Sequence, residues 1–273
     1  MKTVAIIATL LILASCSSSR IDRRIDDVAW DSLADESFLR WGEARLKSAE
    51  AKNLPVVQCY QGNAKEQLVQ YKKDFVTKEK TPYYWIHIGN CYFVQESWQK
   101  AEFFYRMAMD QHKSPELKAI VLNNLGLISF KYEQWEKGKT YLEQAIALAP
   151  RYKVPKYNIS QLYLQFGLYD KAIEVLSDKA FSGHKDIDVY FSLANAYLYR
   201  GEMNRAGQYF RMIPKENFKR EDIAATYSLY LIKVGKIQEA SVIMKERDRS
   251  GVLELTLISQ KIEKLLLQRM KGE

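Results

Sequence analysis

The sequence predicts an all-α chain built as a solenoid of stacked helix pairs, and three observations carry that prediction. Small residues recur at Ala101, Gly138, Ala172, Ala206 and Ala240, with spacings of 37, 34, 34 and 34 residues. A fixed period of that size marks a repeated supersecondary unit. Gly167, Gly201 and Gly235 each lie five residues before their alanine, where a helix end with positive φ favours glycine. In residues 82–113, Trp85, Ile88 and Tyr92 fall on one face of a first helix, while Ala101, Tyr105 and Ala108 stripe a second. One such pair cannot bury its own apolar face, so it requires neighbours.

Composition agrees with a continuous core, since the 273 residues are 47% apolar and 12% aromatic, with only 6 Pro and 12 Gly. The N-terminus, MKTVAIIATLLILASC, places a lysine at position 2, an apolar run from Val4 to Leu13, and small residues before a cysteine. Residues 1–15 therefore read as a secretory signal, too short to span a membrane durably. Leu13-Ala14-Ser15-Cys16 resembles the lipobox of bacterial lipoproteins, which implies that Cys16 is lipidated and becomes the mature first residue. The plainer alternative is an ordinary signal peptide cleaved at a nearby small residue. Ser17, rather than Asp, follows the cysteine, and the sorting rule of that family then implies the outer membrane, with the protein facing the periplasm.

Residues 16–34 comprise this cysteine and a polar, charged tether. Residues 35–78 are a degenerate N-terminal repeat or helical cap. Its first stretch starts at Asp35 and carries Phe38, Leu39, Leu46 and Ala49; Pro55 interrupts it, and a second helix from Asn63 to about Thr77 bears Ala64, Leu68 and Tyr71. About five repeats fill residues 79–250. Residues 251–273 hold an amphipathic helix with Leu255, Ile258, Ile262, Leu265 and Leu266 on one stripe, a cap for the last repeat. The rival reading of that helix is a mobile element for a partner or a membrane surface.

The repeat of residues 82–113 resembles a tetratricopeptide repeat: Trp85, Ile88, Gly89, Tyr92, Ala101, Tyr105 and Ala108 stand at its positions 4, 7, 8, 11, 20, 24 and 27. The resemblance implies a right-handed superhelical solenoid whose concave face is built from positions 2, 5, 9, 12 and 13 of each first helix. In the first repeat these are Tyr83, Ile86, Asn90, Phe93 and Val94, and in the second Ile120, Asn123, Leu127, Phe130 and Lys131. The third supplies Val154, Tyr157, Gln161, Leu164 and Gln165, and the fourth Asp188, Phe191, Asn195, Leu198 and Tyr199. So apolar a groove implies a cover, either the chain's own helices 35–52 or 252–270 or an apolar segment of a partner. A clamp for a C-terminal carboxylate is not expected, because Ile86 and Val154 replace two lysines and Asn158 the arginine.

No catalytic constellation appears: there is no glycine-rich phosphate loop, H-E-x-x-H or nucleophile elbow, and His87, His112 and His184 are isolated. No cofactor, metal or small-molecule substrate is expected, and no enzyme activity. The net charge of +8 reads as a solvated helix surface; an exported lipoprotein has little access to nucleic acid. Cys59 and Cys91 are expected to be unpaired and buried, with pairing in an oxidising compartment as the alternative.

Lipobox, tether and repeats together resemble the outer-membrane pilotin lipoproteins of type IV pilus systems, locally most of all through Asn124-Leu125-Gly126-Leu127-Ile128-Ser129 and Lys139-Thr140-Tyr141-Leu142-Glu143. The expectation is a lipid-anchored scaffold of the bacterial envelope that binds a peptide segment of an envelope or secretion-system protein. A pilotin role in secretin assembly, a subunit of another envelope complex and an accessory to cell-wall remodelling are the alternatives.

Overall fold

The computed structural model describes residues 59, 64–75, 81–111, 113–181, 186–249 and 253–271. The expectations for the signal segment, Cys16, the tether and residues 35–52 fall outside these, as do His112 and His184.

Among the described residues every regular element is helical. The α-helices are α1 (Ala64–Phe75), α2 (Thr81–Val94), α3 (Trp98–Gln111), α4 (Pro115–Lys131), α5 (Trp135–Leu148), α6 (Lys153–Gln165), α7 (Tyr169–Leu176), α8 (Ile187–Arg200), α9 (Met203–Met212), α10 (Glu221–Lys233), α11 (Ile237–Glu246) and α12 (Leu253–Met270). They fall into two compact units that divide within α6, between Ile159 and Ser160. None of these helices is long and apolar enough to cross a membrane.

In the first unit the pairs α2/α3 and α4/α5 pack closely because the contact positions are small. A Cβ on Gly89 would lie 2.4 Å from the Tyr105 ring, and one on Gly138 would lie 2.4 Å from the Phe130 ring. Glycine replaces the usual alanine at 138 because Phe130 already fills the space. Ala101, Tyr105 and Ala108 have no exposed surface, as their stripe requires. Ser114 caps α4, its hydroxyl accepting from the Leu117 N–H at 3.2 Å, with Pro115 opening the helix.

The expectation of two unpaired cysteines is overturned. Cys59 and Cys91 form a disulfide, their Cα atoms 5.2 Å apart, within a buried cluster with Tyr71 and Val94. The small side chain at position 91 faces the segment before α1, and a second cysteine waits there.

In the second unit, Leu164, Ala172 and Ala196 form one buried cluster joining α6, α7 and α8. Ala206 and Phe210 are buried on α9, and Ala240 and Met244 on α11. Asp186 caps α8 by accepting from the N–H groups of Asp188 and Val189. Arg220, ahead of α10, is buried and donates to Asp188 at 2.9 Å and to Asp222 at 2.6 Å. Desolvating this guanidinium is tolerable only because two carboxylates meet it.

Helix α12 caps the array. It packs on α10 and α11 through the buried Ile258, Ile262 and Leu266. Ser259 donates to Glu221 at 3.0 Å, and Arg247 pairs with Glu263 at 2.9 Å. These polar contacts set its register on a face that apolar burial alone leaves free to slide.

Candidate interaction surface

The inner positions of the first helices are the candidate surface, and the structure treats them differently in the two units. On α2, Ile86, Asn90, Phe93 and Val94 are buried and Tyr83 is half-buried; burial and the nearby Tyr152 and Glu116 raise the Tyr83 hydroxyl pKa. On α4, Asn123, Leu127 and Phe130 are buried and Lys131 is half-buried. Tyr157, on the part of α6 in the first unit, is also buried. These side chains share a row by repeat position, yet three of them are engaged inside the fold.

Phe130 is corrected first. Its ring lies against the Gly138 backbone and stacks on Trp135 with centroids 5.7 Å apart, so it faces α5 rather than a groove. Asn90 accepts from the Tyr105 hydroxyl at 2.8 Å and from Asn124 Nδ2 at 3.0 Å. Asn123 donates to Asn124 at 2.9 Å and accepts from Asn158 at 2.8 Å. These amides belong to the packing between repeats. A run of Asn at first-helix positions was the available signal, but an isolated repeat gives no partner to pair them with.

In the second unit the row is more open. Phe191 and Tyr199 on α8 are half-buried, as is Gln165 at the end of α6, while Leu164 and Asn195 are buried. Asn195 and Tyr199 lie one helical turn apart, and Gln165 holds in its repeat the position Tyr199 holds in the next. Tyr169 stacks on Tyr199, with ring centroids 5.7 Å apart. Burial, then the neighbouring Tyr169, pushes the Tyr199 hydroxyl well above its ordinary pKa, keeping it a neutral donor. Gln161 donates to Ser192 at 3.0 Å, so that amide is occupied. By contrast, Gln165 Oε1, Asn195 Oδ1 and Tyr199 Oη are buried with no hydrogen-bond partner among the described residues. Buried polar atoms are rarely left so, and three on one face amount to a site with spare hydrogen-bonding capacity.

His87 belongs to the core of the first unit, stacked on Tyr71 with ring centroids 5.0 Å apart, its pKa lowered to about 4 by burial. No cluster of three metal-ligating side chains occurs among the described residues.

Comparisons with known proteins agree with this construction. The family model of the tetratricopeptide repeat matches residues 156–178. The TPR repeat-containing protein YpiA of Bacillus subtilis is 24% identical over 141 residues, 52% of this chain and 32% of that protein. The intraflagellar transport protein 88 homolog of Homo sapiens is 30% identical over 88 residues, 32% of this chain and 11% of that protein. The chain thus spans a third or less of these relatives' length. Among solved structures, a tetratricopeptide repeat protein from Parabacteroides merdae superposes with a TM-score of 0.52 at 15% identity, over 79% of this chain and 85% of that one. PilF of Pseudomonas aeruginosa superposes with a TM-score of 0.60 at 16% identity, over 77% of this chain and 94% of that one. At such identities the likeness concerns the fold, and the fold is the tetratricopeptide solenoid. With its helix pairs, its recurring small residues and the matched repeat in agreement, the chain has the fold of a tetratricopeptide solenoid and carries a tetratricopeptide repeat at residues 156–178.

Proposed function

We propose that the protein is a non-catalytic interaction scaffold, anchored by lipid at Cys16 in the bacterial outer membrane, that captures an apolar segment of an envelope protein on its concave face. The observation that carries this reading is the set of partnerless atoms Gln165 Oε1, Asn195 Oδ1 and Tyr199 Oη beside the half-buried Phe191. Two amide oxygens and a hydroxyl match the N–H and C=O groups of a partner's main chain, while the aromatic rings receive its apolar side chains. The Cys59–Cys91 disulfide supports export, since such bonds persist in oxidising compartments.

The test is crosslinking capture from envelope membranes with the full chain and with Phe191→Glu. Loss of the captured species with the fold intact supports the site, and unchanged capture moves it elsewhere. For the anchor, Cys16→Ala abolishes incorporation of labelled fatty acid, and persistent labelling refutes it. A second, narrower reading is assistance to secretin assembly; it draws on the pilotin resemblance of residues 124–145, and the fold shared with PilF is compatible with it. Secretin multimers that persist in a deletion strain would sink it.

A further inference from the structure

We propose that the second unit takes an arginine side chain of the captured segment, its guanidinium held among Gln165, Asn195 and Tyr199. The inference rests on the concave-face reading above and names the group that meets the unused acceptors there.

The packing of α6 on α8 brings the three residues together. Gln161 reaches Ser192 at 3.0 Å, and one turn further along Leu164 and Ala196 share a buried cluster. Gln165 therefore stands beside Asn195 and Tyr199, which are themselves neighbours one turn apart on α8. Gln165 Oε1, Asn195 Oδ1 and Tyr199 Oη are buried with no hydrogen-bond partner among the described residues. The two amide oxygens can only accept, whereas the hydroxyl can donate or accept.

These atoms lack donors, and that selects the occupant. An extended main chain presents a C=O beside each N–H, so it brings as many acceptors as donors, and Tyr199 alone could serve its carbonyls. A guanidinium carries several N–H donors in one plane and no acceptor. A planar cation also suits the rings: Phe191 is half-buried, Tyr169 stacks on Tyr199, and Phe166, next to Gln165 in the α6/α7 turn, is 52% exposed. An ammonium offers fewer donors and no flat face. The positive charge meets no rival there. Burial and then Tyr169 raise the Tyr199 hydroxyl pKa, and no cation among the described residues offsets that rise. Arg200, the next residue along α8, is paired with Asp170 at 2.8 Å and Glu202 at 2.9 Å. A carboxylate or phosphate would be set against two amide oxygens, which excludes an anion.

The probe is N-acetyl-arginine methylamide, titrated into the full chain and followed by saturation-transfer NMR. Its citrulline counterpart has the same main chain and side-chain length, with an oxygen where arginine has a nitrogen and no charge. Saturable binding of the arginine probe is expected, about tenfold tighter than that of citrulline. Asn195→Leu removes an acceptor at similar volume, and Tyr199→Phe removes the hydroxyl while keeping the ring; each should weaken arginine binding about tenfold. Tyr199→Phe decides the matter if Asn195→Leu does not fold. The absence of saturable binding, equal binding of citrulline, which would assign the contact to the main chain, or unchanged arginine binding by Tyr199→Phe overturns the proposal. Envelope capture is read separately. A chain that ignores arginine, yet loses capture with Phe191→Glu, ends the guanidinium site alone; one that binds arginine while Phe191→Glu captures as before ends the concave-face reading of the partner.

Discussion

Asn158 donates from Nδ2 to Oδ1 of Asn123 across 2.8 Å, one link in a chain of buried amides. Asn123 passes it to Asn124, and Asn124 to Asn90, which also receives the Tyr105 hydroxyl. The chain therefore runs from α6 through α4 to α2, and only one stacking register satisfies it. Breaking one link strands buried partners, and each stranded group costs about 1–3 kcal/mol. Asn124→Ala, which removes two links, should lower stability by about 2–4 kcal/mol in urea titration. A loss below about 0.5 kcal/mol would show that the amides do not act as a register lock.

The turns inside the described helix pairs α2/α3, α4/α5, α6/α7, α8/α9 and α10/α11 pass through the left-handed region, at Glu96, Glu133, Gly167, Gly201 and Gly235, yet the first two residues carry side chains. For an L-residue that conformation costs about 1–2 kcal/mol, whereas glycine adopts it freely but gives up about 0.5–1 kcal/mol of chain entropy. Glu133→Gly should therefore raise stability by up to about 1 kcal/mol, and Gly201→Ala should lower it by a similar amount. The urea midpoints of the two variants should move in opposite directions, and a shared direction would contradict the turn assignment.

Burial lowers the pKa of His87 to about 4. In the unfolded chain this imidazole titrates near 6.5. Between those values the unfolded state binds more protons, so stability falls as pH drops from about 6.5 to about 4 and is unaffected by this group above that window. The loss across the window should approach about 3 kcal/mol. His87→Phe keeps an aromatic ring beside Tyr71, and its unfolding free energy should be nearly level there. An unchanged pH slope in the variant would assign the dependence to other groups.

The Cys59–Cys91 bond closes a loop with a sequence separation of 32 residues. Loop entropy gives such a crosslink about 3–4 kcal/mol. Dithiothreitol, or Cys59→Ser with Cys91→Ser, should lower the stability of the first unit by that order, and non-reducing digestion should recover one peptide joining the two cysteines. Free thiols in protein isolated without reductant would contradict the pairing.

The repeat architecture was legible because its signals are local and periodic. Ala101, Ala172, Ala206 and Ala240 lack exposed surface as their spacing requires, and Gly167, Gly201 and Gly235 take the positive φ expected of them. The inner face was legible only as a row of positions. Phe130 turned toward α5 because Gly138 leaves a slot for its ring, a pairing that neither residue announces alone. Glu96 and Glu133 concealed turns of the same geometry, since composition there no longer marks the backbone.

The sequence by itself determined the helix pairs, their period, the close-approach sites and the closing helix, because each depends on residues within one or two helical turns or on recurrence along the chain. Only the tertiary structure decided that Cys59 meets Cys91, that the asparagines join into one chain, that Arg220 is buried between Asp188 and Asp222, and that Gln165, Asn195 and Tyr199 share a face with unused hydrogen-bonding atoms. Those pairings join residues distant in sequence. Their partners are set by how the helices stack, and burial turns an ordinary amide or charge into a constraint when it is met and an unsatisfied hydrogen-bonding group when it is not.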